Sequence, residues 1–152
     1  MEKVKRGGLW AACVLYAAAV LMLTFLGKHV LTDTIADSLV YHTNVIPFAT
    51  VWDWISRLAS DQINLGIVIS NVFGNLLLLM PLGFLLPCTF PKMRSLIACL
   101  IMSFGVTLFL ECAQIMLRIG CFDIDVFLLR IVGTAIGYWV YKLARGIYES
   151  NH

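Results

Sequence analysis

Three apolar stretches of the sequence carry polar side chains at the spacing of one helix face, and these side chains are the ones that could do chemistry. The first stripe is Ser103, Thr107, Glu111, Gln114 and Arg118, the second is Asn64, Asn71 and Asn75, and the third is Arg130, Thr134, Gly137 and Tyr141. Steps of three, four or seven residues keep side chains on one face of an α-helix. Carboxylate, guanidinium and amide groups that converge in this way could bind a polar ligand or move a proton.

Glu111 is the residue of these stripes whose charge most needs an explanation. A carboxylate inside a membrane-spanning helix costs on the order of 2.5 to 3.5 kcal/mol on insertion scales, unless it is protonated or paired. Arg118 lies seven residues further along the same face, and Arg130 is a second candidate partner. Two interpretations therefore stay open for Glu111, a functional carboxylate and a structural ion pair.

Disulfides, zinc sites and the usual nucleophilic motifs are not indicated. The five cysteines contain no CxxC pair, and there is no HExxH motif or phosphate-binding loop. The three histidines fall in the first long connection and in the tail, where we expect solvated side chains. We therefore predict no catalytic residue, no metal site and no cofactor. A net charge of +2, with its basic residues dispersed, also argues against a nucleic-acid partner.

The stretches that carry the stripes are long enough to cross a membrane. Of the 152 residues, 61% are hydrophobic and 13% are charged, which leaves more apolar surface than a soluble domain of this length can bury. A spanning helix needs about 20 mainly apolar residues. Four segments qualify, residues 9–27, 65–86, 96–117 and 126–143. We predict an all-α, polytopic membrane protein that forms a single domain over residues 1–152.

The basic residues predict the orientation in the membrane. With a cytoplasmic amino terminus, the inner segments carry seven of the eleven Lys and Arg residues, namely Lys3, Lys5, Arg6, Lys92, Arg94, Lys142 and Arg145. Short segments close to helix ends weigh most in the positive-inside rule. We therefore expect a multi-pass protein of the cell membrane with both termini in the cytoplasm.

The connection between the first two spans is then outside the cell, and its aromatic residues predict a short helix. Trp52 and Trp54 favour the headgroup zone, because one part of the indole is apolar and its N–H can hydrogen-bond. Residues 50–58 are too short and too polar to span, so we predict an interfacial helix there. An irregular loop with an aromatic edge is the alternative.

Proline and glycine residues predict where the spans bend and pack. Pro81 should bend or end the second span, because it lacks an N–H group and its ring crowds the preceding turn. Pro87 and Pro91 should close the inner turn. Gly133 and Gly137 form a small-xxx-small pair that lets another helix approach closely. Three further glycines could act in the same way: Gly66, Gly74 and Gly105.

All three stripes are biased toward the outer half of the membrane on this map. Polar groups at membrane depth turn toward protein partners or water-filled cavities. For Ser103, Thr107 and Thr134 we expect hydrogen bonds that hold helices together. The remaining polar groups should meet in one outward-opening pocket. Its predicted lining is Asn71, Asn75, Glu111, Gln114, Arg118, Asp123, Asp125 and Arg130.

Several motifs occur in a fixed order along the chain. They are NVIPF from Asn44, NVFGNLLLLMPLGFLLP from Asn71, ECAQ from Glu111, FDID from Phe122 and GTAIGY from Gly133. The ordered set, over about residues 44–138, resembles the VanZ-like family of bacterial membrane proteins. The resemblance implies a multi-helix protein of the Gram-positive cell envelope, in a family whose namesake is linked to resistance to the glycopeptide teicoplanin. It implies a phenotype and no particular reaction.

The polar set of that family carries over to Asn75, Glu111, Gln114, Asp123 and Asp125. Two positions depart from the family pattern. Val126 stands where the family usually has a further Asp, and Arg130 stands where it usually has Asn. Both departures weaken any metal site, because they remove an acid and add a cation. Arg130 could instead neutralise Asp123 or Asp125, or recognise an anionic headgroup or carboxylate through its planar fork.

Two functions from different classes are consistent with these features. The first is a non-catalytic envelope protein that engages a membrane lipid, or a lipoglycopeptide antibiotic, in the outer leaflet and reduces susceptibility to teicoplanin-type compounds. The alternative is a membrane-embedded enzyme acting on a lipid-linked cell-wall precursor, with Glu111 as base and Asp123 and Asp125 holding a divalent ion. A small transporter is third, because four helices are few for alternating access unless the chain dimerises. The sequence does not indicate the oligomeric state.

Overall fold

The computed structural model describes residues 2–26, 29–30, 34–41, 43–120 and 122–150, and these residues form helices and connecting turns without a β-sheet. Four of the helices are long and apolar enough to cross a membrane. The predicted all-α, four-span fold class is therefore confirmed. The helices are α1 (Glu2–Phe25), α2 (Ile35–Tyr41), α3 (Ala49–Ala59), α4 (Leu65–Thr89), α5 (Leu96–Met116) and α6 (Ile124–Ser150), with a 3-10 turn at Pro91–Met93.

Polar side chains point inward and apolar side chains point outward on the long helices. Leu23, Ile101 and Phe109 are each more than half exposed. Thr107, Glu111 and other polar residues are buried between the helices. A soluble bundle has the opposite arrangement, because water rather than hydrocarbon surrounds it. The exposed apolar faces therefore fit a protein that is surrounded by lipid.

Helices α4 and α6 form the closest pair in the bundle, because glycines let their backbones touch. A Cβ atom added at Gly133 or Gly137 on α6 would collide with the backbone carbonyl oxygens of Leu76 and Met80 on α4. On α4, a Cβ atom at Gly83 would collide with the carbonyl oxygen of Thr134. The predicted packing role of the Gly133 and Gly137 pair is confirmed.

The other small residues behave differently. Nothing lies within 4 Å of a Cβ atom built at Gly74 or Gly105. At Gly66 such an atom meets only the Asn64 side chain of the preceding helix cap, at 3.2 Å. The expectation that these three glycines let helices approach closely is therefore wrong.

Helix α4 continues through both of its prolines. Pro81 and Pro87 lie inside the helix, and the chain leaves it at Phe90. The prediction that Pro87 closes the inner turn is therefore wrong, whereas Pro91 does begin the 3-10 turn there. Hydroxyl groups of two neighbouring helices donate to carbonyl groups just before Pro81. Tyr16 Oη lies 2.6 Å from the carbonyl oxygen of Leu78 and Thr134 Oγ1 lies 3.2 Å from that of Leu79. These two hydroxyl groups connect α1 and α6 to α4 in the turn before Pro81.

Some helix bounds differ from the predicted spans. Helix α6 continues to Ser150 rather than residue 143, because a helix can extend beyond the apolar stretch that spans the membrane. In its last turns Arg145 Nε lies 2.7 Å from Glu149 Oε1, and this ion pair stabilises the extension. Helix α2 was not predicted. Its signal is the capping pair Thr34 and Asp37, in which Thr34 Oγ1 accepts from the Asp37 amide at 3.1 Å. The predicted helix over residues 50–58 is confirmed as α3, while its interfacial position stays a prediction.

Substituting Gly133 or Gly137 with alanine should lower the thermal unfolding midpoint of the purified protein in detergent. A methyl group there must push α4 and α6 apart, and overpacking of this kind typically costs about 1 to 3 kcal/mol. Gly105→Ala is the matched control, and it should leave the midpoint unchanged or raise it slightly, because alanine favours helices over glycine by about 1 kcal/mol. Equal midpoints for all three variants would contradict the close α4–α6 contact.

Candidate functional site

The polar stripes of α5 and α6 face each other inside the bundle. Ser103 and Thr134 are fully buried, and their hydroxyl oxygens lie 2.7 Å apart. These residues therefore join the two helices, as expected. Thr107 is also fully buried, but its hydroxyl group has no hydrogen-bond partner in the part of the chain that the structure describes. The expected interhelical hydrogen bond is wrong for Thr107.

Glu111 and Arg130 form a buried ion pair near one end of the bundle. This end, which we call the site end, is where α1 and α5 finish and α4 and α6 begin. Arg130 Nη1 lies 2.6 Å from Glu111 Oε1, and the two side chains are 5% and 2% exposed. Only one nitrogen of the guanidinium group contacts the carboxylate. Arg130 Nε is buried and has no partner among the described residues, so part of the fork remains for another acceptor.

Arg118 belongs to the predicted site but lies outside the helix that was expected to position it. Helix α5 ends at Met116, and Arg118 has a φ of 59°, in the left-handed region. Helical spacing therefore no longer sets the direction of its side chain. It is absent from the linings of both polar cavities described below, so the predicted position of Arg118 in the pocket is wrong.

Asp125 holds the amino terminus of α3. Its carboxylate oxygens accept hydrogen bonds from the backbone amides of Phe48, Thr50 and Val51, with distances of 2.8 Å from Thr50 and 3.1 Å from Val51. Phe48 precedes α3 in a left-handed conformation and has no side-chain group that could cap the helix. Asp125 therefore supplies this cap from a different helix and does not line either cavity.

Asp123 connects the same loop to the start of α6. Its Oδ1 atom accepts from Asn44 Nδ2 at 3.2 Å and from the Asp125 amide at 2.9 Å. The backbones pair as well, because the Asn44 amide donates to Phe122 at 2.7 Å and the Ile124 amide donates to Asn44 at 3.0 Å. The Asp-x-Asp unit thus fixes the connection between α2 and α3 against α6.

Two polar cavities lie at the site end, and they share a wall of four side chains. The α3 cavity has a volume of about 340 Å³ and reaches α3 through Thr50 and Trp54. The α1 cavity has a volume of about 250 Å³ and reaches α1 through Leu23 and Thr24. The shared wall consists of Asn71, Asn75, Gln114 and Arg130. Glu111 and Asp123 line the α3 cavity only.

The amide groups of this wall are partly occupied by the protein. Asn71 Nδ2 donates to the carbonyl oxygen of Ile67 at 2.8 Å, and Asn75 Nδ2 donates to that of Asn71 at 2.8 Å. Gln114 Nε2 donates to the carbonyl oxygen of Thr24 at 3.1 Å, which connects α5 to α1. Each amide keeps a second N–H group and an acceptor oxygen for other partners.

The structure therefore brings together six of the eight predicted site residues around the cavities and leaves out Arg118 and Asp125. Three further residues that line the cavities were not predicted as site residues: Thr24, Thr50 and Trp54. The signal for Thr24 lies in α1, where Tyr16 and Thr24 are the hydroxyl-bearing residues of an apolar stretch and stand eight residues apart, on one helix face.

The hydrogen bonds of Asp123 and Asp125 affect whether the Asp-x-Asp unit could hold a divalent ion. Both oxygens of Asp125 accept backbone amide hydrogens, so they are not free to bind a cation. Asp123 already has two donors on one oxygen. The His, Cys, Asp and Glu residues that the structure describes include no group of three placed to hold a metal ion.

The fold and the site define a class: a polytopic helical membrane protein with a buried ion pair and two polar cavities at one end of its bundle. The sequence matches the family described as VanZ/LLP1 over residues 13–145, which is most of the chain. The chain belongs to this family and is a VanZ-like multi-pass membrane protein, which confirms the resemblance. No curated protein and no solved structure matches the chain.

Replacing Arg130 with methionine should destabilise the protein by about 3 to 5 kcal/mol, because the Glu111 carboxylate is then buried without a partner. The double substitution of Glu111→Leu with Arg130→Met should recover most of that loss, since a buried pair is often replaced by apolar residues at little net cost. Thermal unfolding midpoints in detergent measure both effects. A double variant as unstable as the single variant would contradict a mainly pairwise role.

Replacing Asp125 with alanine should loosen α3 while the four long helices stay folded. The loss of a helix cap, about 1.4 kcal/mol of local stability, should make the Phe48, Thr50 and Val51 amides exchange with deuterium about tenfold faster. Asp53→Ala is the control, because Asp53 lies on the exposed side of α3 and pairs with Arg57 there. If both variants exchange at the same rate, Asp125 does not cap α3.

Proposed function

We propose that this protein acts in the bacterial cell envelope and reduces susceptibility to teicoplanin-type lipoglycopeptides, by engaging an outer-leaflet lipid or the antibiotic itself in the two polar cavities. Membership of the VanZ/LLP1 family supports an envelope role of this kind. The observation that carries the proposal is the buried Glu111–Arg130 pair: Arg130 lines both cavities, and its Nε atom has no hydrogen-bond partner among the described residues. A membrane protein keeps such a charged interior at a considerable cost in stability, which favours a role in binding.

The surface of α3 supports a site at the membrane interface. Trp52 and Ile55 are exposed on this helix, and Phe48 and Ile46 are exposed just before it. Trp54, on the same helix, lines the α3 cavity. Aromatic and aliphatic side chains of this kind anchor a short helix among lipid headgroups. A ligand embedded in one leaflet by its acyl chains would then meet the cavity at headgroup depth.

The proposed orientation puts the cavities on the outside of the cell. Basic residues near the opposite ends of the spans, among them Lys92, Arg94 and Lys142, support a cytoplasmic location for those ends under the positive-inside rule. Both termini are then cytoplasmic. The oligomeric state does not enter the proposal.

An enzyme acting on a lipid-linked precursor has less support. It would use Glu111 as a base and Asp123 and Asp125 as ligands of a divalent ion, but Glu111 is paired with Arg130 and the Asp125 oxygens are bound to amides. If Glu111 took up a proton as a base, its ion pair with Arg130 would break and the guanidinium group would stay buried without a counter-ion. Binding without turnover is therefore the function that this geometry favours.

The test compares teicoplanin susceptibility in cells that lack the protein, express it, or express the Asn71→Ala and Asn75→Ala double variant at equal level. The protein should lower susceptibility, and the double variant should lose that effect. Both residues line both cavities, and within the described part of the chain their amides donate only to carbonyl groups of α4. Asn64→Ser is the control, since Asn64 caps α4, outside both cavities, and serine keeps the cap.

Equal susceptibility with and without the protein would contradict the proposal. A phosphatase reporter that is active only outside the cytoplasm, fused after His152, tests the orientation, and an immunoblot of the membrane fraction shows that the fusion is expressed. The reporter should be inactive, and an active reporter would place the cavities on the cytoplasmic side, against the proposal.

A further inference from the structure

The α1 cavity contains two buried polar groups that the protein leaves without partners. Arg130 Nε and Thr24 Oγ1 both have no hydrogen bond among the described residues, and both residues are only 4% exposed. Both line this cavity. A buried donor without a partner is costly, so each normally faces a bound molecule or ordered water. With about 250 Å³, the cavity has room for roughly eight waters or for a group of several heavy atoms.

The two cavities differ in charge although they share a wall. Arg130 is the charged side chain that lines the α1 cavity. In the α3 cavity Glu111 and Asp123 accompany it, so among its described lining residues two carboxylates face one guanidinium group. An anionic group therefore fits the α1 cavity, where a guanidinium N–H and a hydroxyl group can donate to it. A cationic group fits the α3 cavity, where one negative charge is uncompensated.

An apolar groove lies one helical turn from the α1 cavity on the same three helices. It has a volume of about 260 Å³ and includes Val20 on α1, Leu79 on α4 and Leu110 on α5. Each of these residues lies four positions from a polar residue of the α1 cavity: Thr24, Asn75 and Gln114. Because four residues make about one helical turn, the lining changes from polar to apolar over one turn on all three helices. The groove shares no lining residue with either cavity, but it lies within one turn of the α1 cavity on α1, where the α3 cavity has no lining residue.

We propose that the site binds a zwitterionic glycerophospholipid with a primary ammonium group, the chemistry of phosphatidylethanolamine. An acyl chain lies in the apolar groove, the phosphate lies in the α1 cavity on Arg130 Nε and Thr24 Oγ1, and the ammonium group lies in the α3 cavity near Glu111 and Asp123. The order of groove, α1 cavity and α3 cavity matches the order of chain, phosphate and ammonium in this lipid. The inference rests on the proposed function, because it names the outer-leaflet ligand of the same cavities.

We expect this site to distinguish phospholipids by their headgroups. Phosphatidylglycerol has the phosphate but no cation, so it leaves the charge of the α3 cavity uncompensated. Phosphatidylcholine has a cation, but its three methyl groups replace the N–H donors that Glu111 and Asp123 can accept. Phosphatidylethanolamine alone among the three supplies a phosphate acceptor and ammonium donors.

The experiment uses the purified full chain in vesicles that contain equal amounts of the three lipids, followed by native mass spectrometry of the lipid retained after detergent extraction. Phosphatidylethanolamine should be retained in preference to the other two. Thr24→Val, which removes only the hydroxyl group, should reduce that retention roughly two- to tenfold, as the loss of one hydrogen bond would. Thr107→Val is the matched control, because it removes another buried, unpartnered hydroxyl group outside both cavities and the groove.

Equal retention of the three lipids, or retention that Thr24→Val and Thr107→Val change alike, would overturn the inference. Retention of phosphatidylglycerol as strong as that of phosphatidylethanolamine would overturn the placement of the ammonium group. The lipid measurement is independent of antibiotic susceptibility. Selective retention of phosphatidylethanolamine without any effect on teicoplanin susceptibility keeps this inference and contradicts the proposed function. An effect on susceptibility without selective retention contradicts this inference alone.

Discussion

The ion pair between Glu111 and Arg130 is the interaction on which the site end depends. Neither charge is stable alone in a low-dielectric interior, and the pair offsets its desolvation only when the two groups are in contact. Because the partners lie on different helices, the 2.6 Å contact fixes the register of α5 against α6. The Ser103 and Thr134 hydroxyl contact, further from the site end, holds the same two helices in that register. The shape of both cavities follows from this register.

The acidic unit of the FDID motif positions the loop rather than acting in the cavities. Both oxygens of Asp125 accept amide hydrogens at the start of α3. Asp123 binds Asn44 through Oδ1 and also lines the α3 cavity. The loop motif NVIPF and the helix motif FDID, far apart in the sequence, are thus the two halves of one connection. The two acids of FDID, which were the candidate ligands of a divalent ion, instead accept hydrogen bonds from this connection.

The sequence predicted the spans and the inward faces well, because both depend on local patterns of hydropathy and helical spacing. Arg118 and Asp125 were misplaced for a common reason. Their positions depend on where a helix ends and on which loop packs against it, and neither is encoded in the spacing of residues. The sequence left two candidate partners for Glu111, Arg118 and Arg130. Helical periodicity predicts which face of a helix a residue lies on, but it does not predict which helix packs against that face. Thr24 was missed because the interior of α1 is defined by α4 and α5.

The backbone contact between α4 and α6 has a mechanical consequence. At Gly83, Gly133 and Gly137 the backbones of these helices touch directly, so the two helices cannot slide or separate without losing this contact. Helix α1 packs mainly against α4 and has exposed apolar residues along most of its length. Among the described spans that line the apolar groove, the most weakly packed seam is therefore the one between α1 and α5, and it is where we expect the proposed lipid to enter sideways from the bilayer.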